Sequence, residues 1–187
     1  MVIITCMDWW MFELMIFTSG YFGPNSQAAQ IVLMNITMTV YLLAQGIGYA
    51  VVTLVGKEIG RGKPELAKRY YKIILTDSFL FILFVAVVVH FSKDYAVSSL
   101  TDIESVKTSA QEVIFYISLN TVPELLKGVL KGGVKALGIQ KQAVIVHLLG
   151  NWVLSPSLQY YFCFVQDYGL HGIWIAKLMM ETFIVAG

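Results

Sequence analysis

The sequence predicts an all-α protein, a polytopic transmembrane helix bundle of about six spans. Two features of its composition indicate this class: 57% of the 187 residues are hydrophobic and only 13% are charged, against about 25% charged residues in an ordinary soluble domain. The apolar residues form long continuous runs, unlike the alternating segments of about ten residues that build a transmembrane β-barrel. We therefore expect residues 1–187 to form a single transmembrane domain.

Six apolar runs are long enough to cross a bilayer, for which a helix needs about 20 residues. In chain order they cover residues 2–23, 29–55, 72–91, 110–130, 142–164 and 170–187. Turn-forming residues separate them, as Gly23 and Pro24 do after the first run. Pro64 and Glu65 suit the first turn of a helix. We expect a short basic surface helix, 64–72, to lead into the third span.

Basic residues are concentrated in two of the connections between these spans. The second and fourth connections together contain Lys57, Arg61, Lys63, Lys68, Arg69, Lys72, Lys127, Lys131, Lys135 and Lys141. Because lysine and arginine in short loops stay on the cytoplasmic side, both ends of the chain are expected in the cytoplasm and the 92–109 loop outside. The membrane is expected to be the plasma membrane or a vacuolar or other endomembrane.

Several functional classes are disfavoured by the composition and by the motifs. A net charge of +1 provides no basic field for binding nucleic acid. Cys6 and Cys163 stand in separate apolar stretches, so no disulfide framework follows. His90, His147 and His171 lack the spacing of zinc ligands, and no metal site is expected. Neither a GxSxG elbow, a HExxH helix nor a Walker-type phosphate loop is present, so we expect no enzyme and no cofactor.

Acidic side chains in the first span require an explanation, since a carboxylate at the bilayer centre costs about 2.5–3.5 kcal/mol. Asp8 and Glu13 both lie there. At a rise of about 1.5 Å per residue, Glu13 lies roughly 18 Å deep, too far for its short side chain to reach water. We expect the two acids to border adjacent walls of a substrate or ion cavity. The alternative is a helix–helix hydrogen bond made by a protonated acid.

Glu124 in the fourth span follows Pro123, whose missing backbone donor is expected to bend the helix. A broken helix with an acid at the break is a common transporter device. Lys127, three residues further along, offers the alternative of a simple ion pair. Two other acids are interpreted as structural: Asp77 near the interface and Glu181, one turn after Lys177.

Polar and aromatic groups in the first two spans complete the candidate site. In a membrane, side chains such as those of Gln30 and Asn35 ordinarily form hydrogen bonds between helices. Trp9 lies deeper in the span than an aromatic residue that anchors a helix at the interface.

The chemistry of the predicted site permits exchange, because a proton and a cation compete for one buried carboxylate. Aromatic walls favour flat cationic drugs. The coupling ion is expected to be H⁺ or Na⁺.

Motifs along the chain also suggest a family. They are Cys6-Met7-Asp8-Trp9-Trp10-Met11-Phe12-Glu13, Ala29-Gln30, Val55-Gly56-Lys57-Glu58-Ile59-Gly60-Arg61-Gly62, Glu124, and Lys135-Ala136-Leu137-Gly138-Ile139-Gln140. Their order and spacing resemble the second half of eukaryotic multidrug and toxin extrusion (MATE) transporters, over nearly the whole chain. Members of this family have twelve helices in two six-helix lobes and exchange organic cations and other toxic compounds for H⁺ or Na⁺.

The resemblance implies that Asp8, Glu13 and Glu124 match acids used for cation and proton binding in the C-terminal lobe. Asp8 stands where glutamate is usual, and a further family acid falls at Asn35. We add Trp9, Gln30 and Asn35 to the substrate- and ion-binding set.

One lobe cannot enclose the cavity of a two-lobe transporter. The chain is therefore expected to be a fragment, a truncated gene product or half of a dimer. Its expected partners are small organic cations or drugs, the lipid bilayer, and either the missing N-terminal lobe or a second copy; no nucleic acid is expected. The alternative function is a non-transporting six-span subunit with a structural or regulatory role, in which the acids hold helices together.

Overall fold

A computed structural model describes residues 2–187, and within that range it is helical with no strand. The elements are α1 (Val2–Gly20), α2 (Pro24–Gly60), α3 (Pro64–Leu100), α4 (Glu104–Val113), α5 (Phe115–Leu137), α6 (Gln140–Leu148), a π-helical turn at Leu149–Leu154, α7 (Ser155–Tyr160), a second π-helical turn at Tyr161–Val165, and α8 (Leu170–Ala186). The predicted all-α bundle is confirmed.

The helices agree with about six membrane crossings. Within residues 2–187, α1, α2 and α3 are individually long and apolar enough to span a bilayer, and α4 with α5 adds a fourth candidate as one bent unit. The stretch from α6 to the second π-helical turn follows without a break and corresponds to the fifth predicted run. The 17 residues of α8 correspond to the sixth.

The second and third spans are longer than the sequence predicted. Both α2 and α3 contain 37 residues, which corresponds to about 55 Å at about 1.5 Å per residue. The separate surface helix expected over 64–72 is wrong, because α3 begins at Pro64 and continues unbroken into the span. The 92–109 region is also mostly helical, since only residues 101–103 separate α3 from α4.

The break in the fourth span lies at a different place from the one expected. The axes of α4 and α5 differ by 54° at Ile114, whereas α5 runs without interruption through Pro123. A proline removes one backbone hydrogen bond, and packing around it can keep a membrane helix continuous. Pro123 is itself buried in the bundle.

Close packing of α2 against α5 depends on small residues. A Cβ atom added to Gly132 would lie 2.6 Å from the backbone oxygen of Gly48, and one added to Gly128 would collide with the backbone oxygen of Ala44. The two helix backbones therefore approach more closely than side chains would allow.

The apolar surface is divided between a buried core and an outer face. Met15, Leu33 and Trp174 are completely buried between α1, α2 and α8. On α3, in contrast, Phe84 is 63% exposed and Phe91 81% exposed. Such a continuous apolar exterior is expected of a helix that contacts lipid. The protein is therefore an integral membrane protein.

Candidate functional site

Six charged side chains form a buried cluster between α1, α5 and α8, which we call the ion network. Its members are Asp8, Glu124, Lys127, Lys131, Lys177 and Glu181. Helical periodicity explains how so few elements supply them. Positions 124, 127 and 131 follow one face of α5, and positions 177 and 181 stand one turn apart on α8.

Four members of the network form a closed ring of ion pairs. The Oε1 atom of Glu124 lies 3.1 Å from the Nζ atom of Lys127, and its Oε2 atom lies 3.0 Å from that of Lys177. Across the ring, the Oε2 atom of Glu181 lies 2.8 Å from Lys127, and its Oε1 atom lies 2.9 Å from Lys177. Each glutamate therefore contacts both lysines. The ring joins α5 to α8.

The remaining acid of the network, Asp8, is held by three elements. Its Oδ2 atom lies 2.7 Å from the Nζ atom of Lys131 on α5. Its Oδ1 atom lies 3.3 Å from the Nδ1 atom of His147 on α6 and accepts a hydrogen bond of 3.4 Å from the amide of Asn151. Asn151 belongs to the first π-helical turn, a type of irregularity that is frequent at functional sites.

The charges of the network balance and are almost inaccessible to solvent. Three carboxylates face three ammonium groups, and every one of these side chains is less than one tenth exposed. Removing one partner of such a pair leaves an uncompensated buried charge, which costs about 3–5 kcal/mol. The arrangement therefore links α1, α5 and α8 strongly.

Glu13 does not join the ion network. Five residues turn a helix by about 140°, so Asp8 and Glu13 lie on different faces of α1. Asp8 points into the bundle, whereas Glu13 is exposed and makes no side-chain hydrogen bond or ion pair within residues 2–187. Trp9 lies one turn before Glu13, is half exposed, and contacts the ring of Tyr41 edge to face at 6.3 Å.

Gln30 and Asn35 also lie away from the ion network. Gln30 is buried and accepts a hydrogen bond of 3.1 Å from the indole nitrogen of Trp174. Asn35 is exposed on α2 and donates to the backbone oxygen of Ile31 at 3.0 Å. The six predicted site residues therefore lie in different surroundings. Asp8 and Glu124 belong to the ion network, Trp9 and Glu13 form an exposed stripe on α1, and Gln30 and Asn35 lie at two separate positions on α2.

Cavities of different sizes border the ion network. Two are small, about 10 Å³ each; one touches Glu124, and the other touches Asp8 and Glu181. A space of about 60 Å³ lies beside Lys131 between α2 and α5. A larger groove of about 410 Å³ lies between α5, α6 and α8, and its charged and imidazole-bearing lining residues are Lys127, Lys131 and His147.

Comparison with known proteins identifies the family. The MatE family model matches residues 1–161. The chain belongs to the MatE family. The resemblance noted in the sequence is therefore confirmed.

Curated transporters are similar along nearly the full length of the chain. A transporter of Schizosaccharomyces pombe is 27% identical over 186 residues, which is 100% of this chain and 34% of the yeast protein. Human multidrug and toxin extrusion protein 1 is 24% identical over 182 residues, which is 97% of this chain and 32% of the human protein. The chain thus spans about a third of the length of these relatives.

The fold of the lobe matches solved MATE structures. The crystal structure of the eukaryotic MATE transporter AtDTX14 superposes with a TM-score of 0.90 at 20% sequence identity, over 98% of this chain and 41% of that chain. The agreement shows a shared fold and supports the interpretation of the chain as a partial, half-sized MATE architecture.

Sequence reasoning missed several residues of this MATE lobe. The sequence predicts Lys127 as a possible partner of Glu124 but assigns Lys131 only to the charges of the fourth connection, whereas the side chain of Lys131 is nearly inaccessible on α5. His147 and Asn151 were not predicted to contact Asp8. The spacing of acid and base along α5, at positions 124, 127 and 131, is the signal that could have identified the network.

Proposed function

We propose that the chain forms a lobe of a secondary antiporter that exports organic cations and other xenobiotics in exchange for H⁺ or Na⁺. One observation carries the proposal: Glu13, inside an apolar span, is exposed and makes no side-chain hydrogen bond or ion pair among residues 2–187. Such an acid is expensive in a membrane and marks an ion or substrate pathway. Membership of the MatE family supports the same class of activity.

The stripe on α1 contains the two groups that recognise an organic cation. The carboxylate of Glu13 supplies the negative charge, and the half-exposed ring of Trp9 supplies a surface for cation–π contact. A proton or Na⁺ that neutralises the carboxylate removes its attraction for the organic cation. The coupling ion and the substrate therefore compete for the same group. Alternating access then converts this competition into exchange.

The other predicted residues receive supporting roles in the proposal. Asn35 offers an exposed amide on the neighbouring helix, and Gln30 fixes α2 to α8 through Trp174. Asp8 and Glu124 lie in the interior of the lobe, where both are paired with lysines. The proposed mechanism requires H⁺ or Na⁺ as the coupling ion and includes no cofactor.

The partners follow from the open stripe. A second lobe, either an N-terminal MATE lobe or another copy of this chain, would cover it and enclose the cavity. In the proposed orientation both ends lie in the cytoplasm of a cell that carries the protein in its plasma membrane or in a vacuolar or other endomembrane. Lys127 and Lys131 no longer contribute to that assignment, but exposed Arg61, Lys63 and Lys68 still do.

Transport in vesicles tests the proposal. The chain would be reconstituted alone and together with an N-terminal MATE lobe, and uptake of tetraethylammonium would be followed under an imposed proton or Na⁺ gradient. We expect gradient-driven uptake that Glu13→Gln abolishes while membrane insertion is retained. Glu65→Gln, which alters an exposed acid at the start of α3, is the matched control. Wild-type exchange by Glu13→Gln would contradict the coupling role of Glu13.

The ion network favours one second candidate, a non-transporting membrane subunit. In that case the acids serve only to hold helices together, as the ion pairs between α5 and α8 do. The vesicle experiment distinguishes the two candidates. If the chain is a structural subunit, we expect no gradient-driven uptake, whether the chain is alone or together with an N-terminal lobe, and no effect of Glu13→Gln.

A further inference from the structure

The three buried lysines divide the acids of this lobe into two groups. Building on the proposed antiport function, we propose that Lys127, Lys131 and Lys177 act as built-in counter-cations that keep Asp8 and Glu124 out of exchange. Glu13 then remains as the acid of this lobe that binds the substrate or the coupling ion.

The first step is the occupancy of the carboxylate oxygens. Each oxygen of Glu124 has an ammonium nitrogen within 3.1 Å, and Lys131 lies 2.7 Å from Asp8. A Na⁺ ion or an organic cation at these oxygens would stand directly beside a lysine charge in a dry interior. Like charges at such short range repel strongly where the dielectric is low. Binding would therefore require a lysine to leave.

The second step is the space available. The cavities that touch Asp8 and Glu124 have volumes of about 10 Å³ each, and a cavity needs at least about 10–15 Å³ to hold a single water molecule. An organic cation of drug size occupies a site of about 300–1,000 Å³. The inner acids are thus sterically closed to the proposed substrate.

The third step is the sign of the charge on the accessible side. The larger groove is lined by Lys127, Lys131 and His147, whereas neither Asp8 nor Glu124 is among its lining residues. A cation that entered this groove would meet ammonium groups before it reached a carboxylate. The groove therefore screens the inner acids from cations instead of attracting cations to them.

Glu13 differs from the inner acids in its pairing and in its exposure. It has no ion-pair partner within residues 2–187, it is exposed, and it lies one turn from the accessible ring of Trp9. With the inner acids neutralised by lysines, this lobe offers one acid for exchange where three acids were predicted. We therefore expect fewer coupling ions per transport cycle than three acids would give.

Chemical labelling of the carboxyl groups tests the proposal directly. The purified chain in lipid nanodiscs would be treated with dicyclohexylcarbodiimide, which reacts with protonated carboxyl groups in apolar surroundings, and the products mapped by mass spectrometry. We expect modification of Glu13 and none of Asp8, Glu124 or Glu181. In Lys177→Met, modification at Glu124 or Glu181 should rise about tenfold or more, because an unpaired buried carboxylate is neutralised by a proton.

Matched variants control for effects of substitution and folding. Lys135→Met changes a lysine on the same helix that lies over the ring of Tyr49, away from the acids, and should leave the pattern unchanged. The double variant Lys177→Met/Glu181→Gln removes one charge of each sign, so Glu124 keeps Lys127 and should again resist modification. If Lys177→Met does not insert, Lys131→Met provides an independent readout at Asp8.

The outcomes separate this proposal from the proposed function. Modification of Asp8 or Glu124 in the wild-type chain, suppressed by tetraphenylphosphonium, would overturn the counter-cation role of the lysines. Unchanged patterns in both Lys177→Met and Lys131→Met would overturn it as well. Failure of tetraphenylphosphonium to suppress modification of Glu13 would instead count against the proposed organic-cation site and leave the lysine assignment standing.

Discussion

The Nζ atom of Lys131 lies 2.7 Å from the Oδ2 atom of Asp8, although 123 positions separate the two residues in the chain. The pair connects the first span to the end of the helix that carries Glu124. Both side chains are less than one tenth exposed. A contact of this kind fixes the relative position of two helices, because neither charge can be left without its partner in the interior.

Asp8→Asn is expected to destabilise the chain by about 3–5 kcal/mol, since the ammonium group of Lys131 would remain buried and unpaired. The double variant Asp8→Asn/Lys131→Met removes both charges and should recover most of the loss. Thermal unfolding can be followed with a thiol-reactive dye in a Cys6→Ser background, because Cys6 is exposed whereas Cys163 is buried in the folded chain. Equal melting temperatures for Asp8→Asn and the wild type would show that the pair contributes little.

Exchanging the charges of Glu124 and Lys127 is expected to prevent stable folding. The swapped ammonium group would face Lys177 and the swapped carboxylate would face Glu181, where the present distances are 3.0 and 2.8 Å. The exchange would be tolerated if positions 124 and 127 formed an isolated pair. Monodispersity in detergent after mild heating provides the measurement.

A matched exchange at the surface controls for the effect of the swap itself. Glu65 and Lys68 have the same spacing and an ion-pair distance of 2.9 Å, but both are exposed. Exposed pairs of this kind contribute about 0–1 kcal/mol, so this second swap should leave monodispersity unchanged. Equal behaviour of the two swapped chains would contradict the ring of buried ion pairs.

Gly128→Ala is expected to push α2 and α5 apart and to cost about 1–3 kcal/mol, as overpacking of a close contact does. The added methyl group would collide with the backbone oxygen of Ala44. Gly46→Ala on α2 is the control, because a Cβ atom there meets nothing within 4 Å. Melting temperatures of the two variants in detergent can be compared, and a similar decrease for both would argue against the close helix contact.

Trp9→Leu should weaken binding of an organic cation by about 2- to 30-fold, the range that corresponds to about 0.5–2 kcal/mol of cation–π attraction. Trp10→Leu should leave the affinity unchanged, because Trp10 packs against Trp152 on a different side of α1. Equilibrium binding of radiolabelled tetraphenylphosphonium to each purified variant measures the difference. The same loss of affinity in both variants would place the site elsewhere.

The proposed orientation gives a fifth prediction. In a chain without Cys6 and Cys163, Asp102→Cys should react with a membrane-impermeant thiol reagent added to intact cells that carry the chain in the plasma membrane. Lys63→Cys should react only after the membrane is permeabilised. Both positions are exposed and lie in short connections between helices, so accessibility within the protein does not decide the result. The opposite pattern would invert the proposed topology.

Much of the architecture follows from the sequence because long apolar runs leave few alternatives in a bilayer. Hydropathy predicted the order of the spans, but it could not predict where a helix ends beyond the membrane. The basic stretch after Pro64 and the polar stretch before Thr101 both continue as regular helix. A helix continues through polar residues because each added residue forms a further backbone hydrogen bond. Hydropathy reports only the polarity of the side chains, so it does not show where such a helix ends.

The candidate site was predicted less completely because pairing across the bundle depends on tertiary packing. The contacts of Lys127 with Glu124 and of Lys177 with Glu181 follow from helical spacing, and the structure shows both. The contact of Asp8 with Lys131 joins residues 123 positions apart in the chain, so no regular spacing in the sequence could indicate it. The binding roles given to the predicted acids stay a prediction.

The 37-residue helices α2 and α3 have a mechanical consequence. Each is about 55 Å long, whereas the hydrocarbon core of a bilayer measures about 30 Å. Even with a typical tilt of about 20°, more than a third of each rod stands clear of the lipid tails. The turn around Arg61 thus lies outside the lipid tails at one end of the α2–α3 hairpin, where an antibody fragment or a crosslinker can be attached.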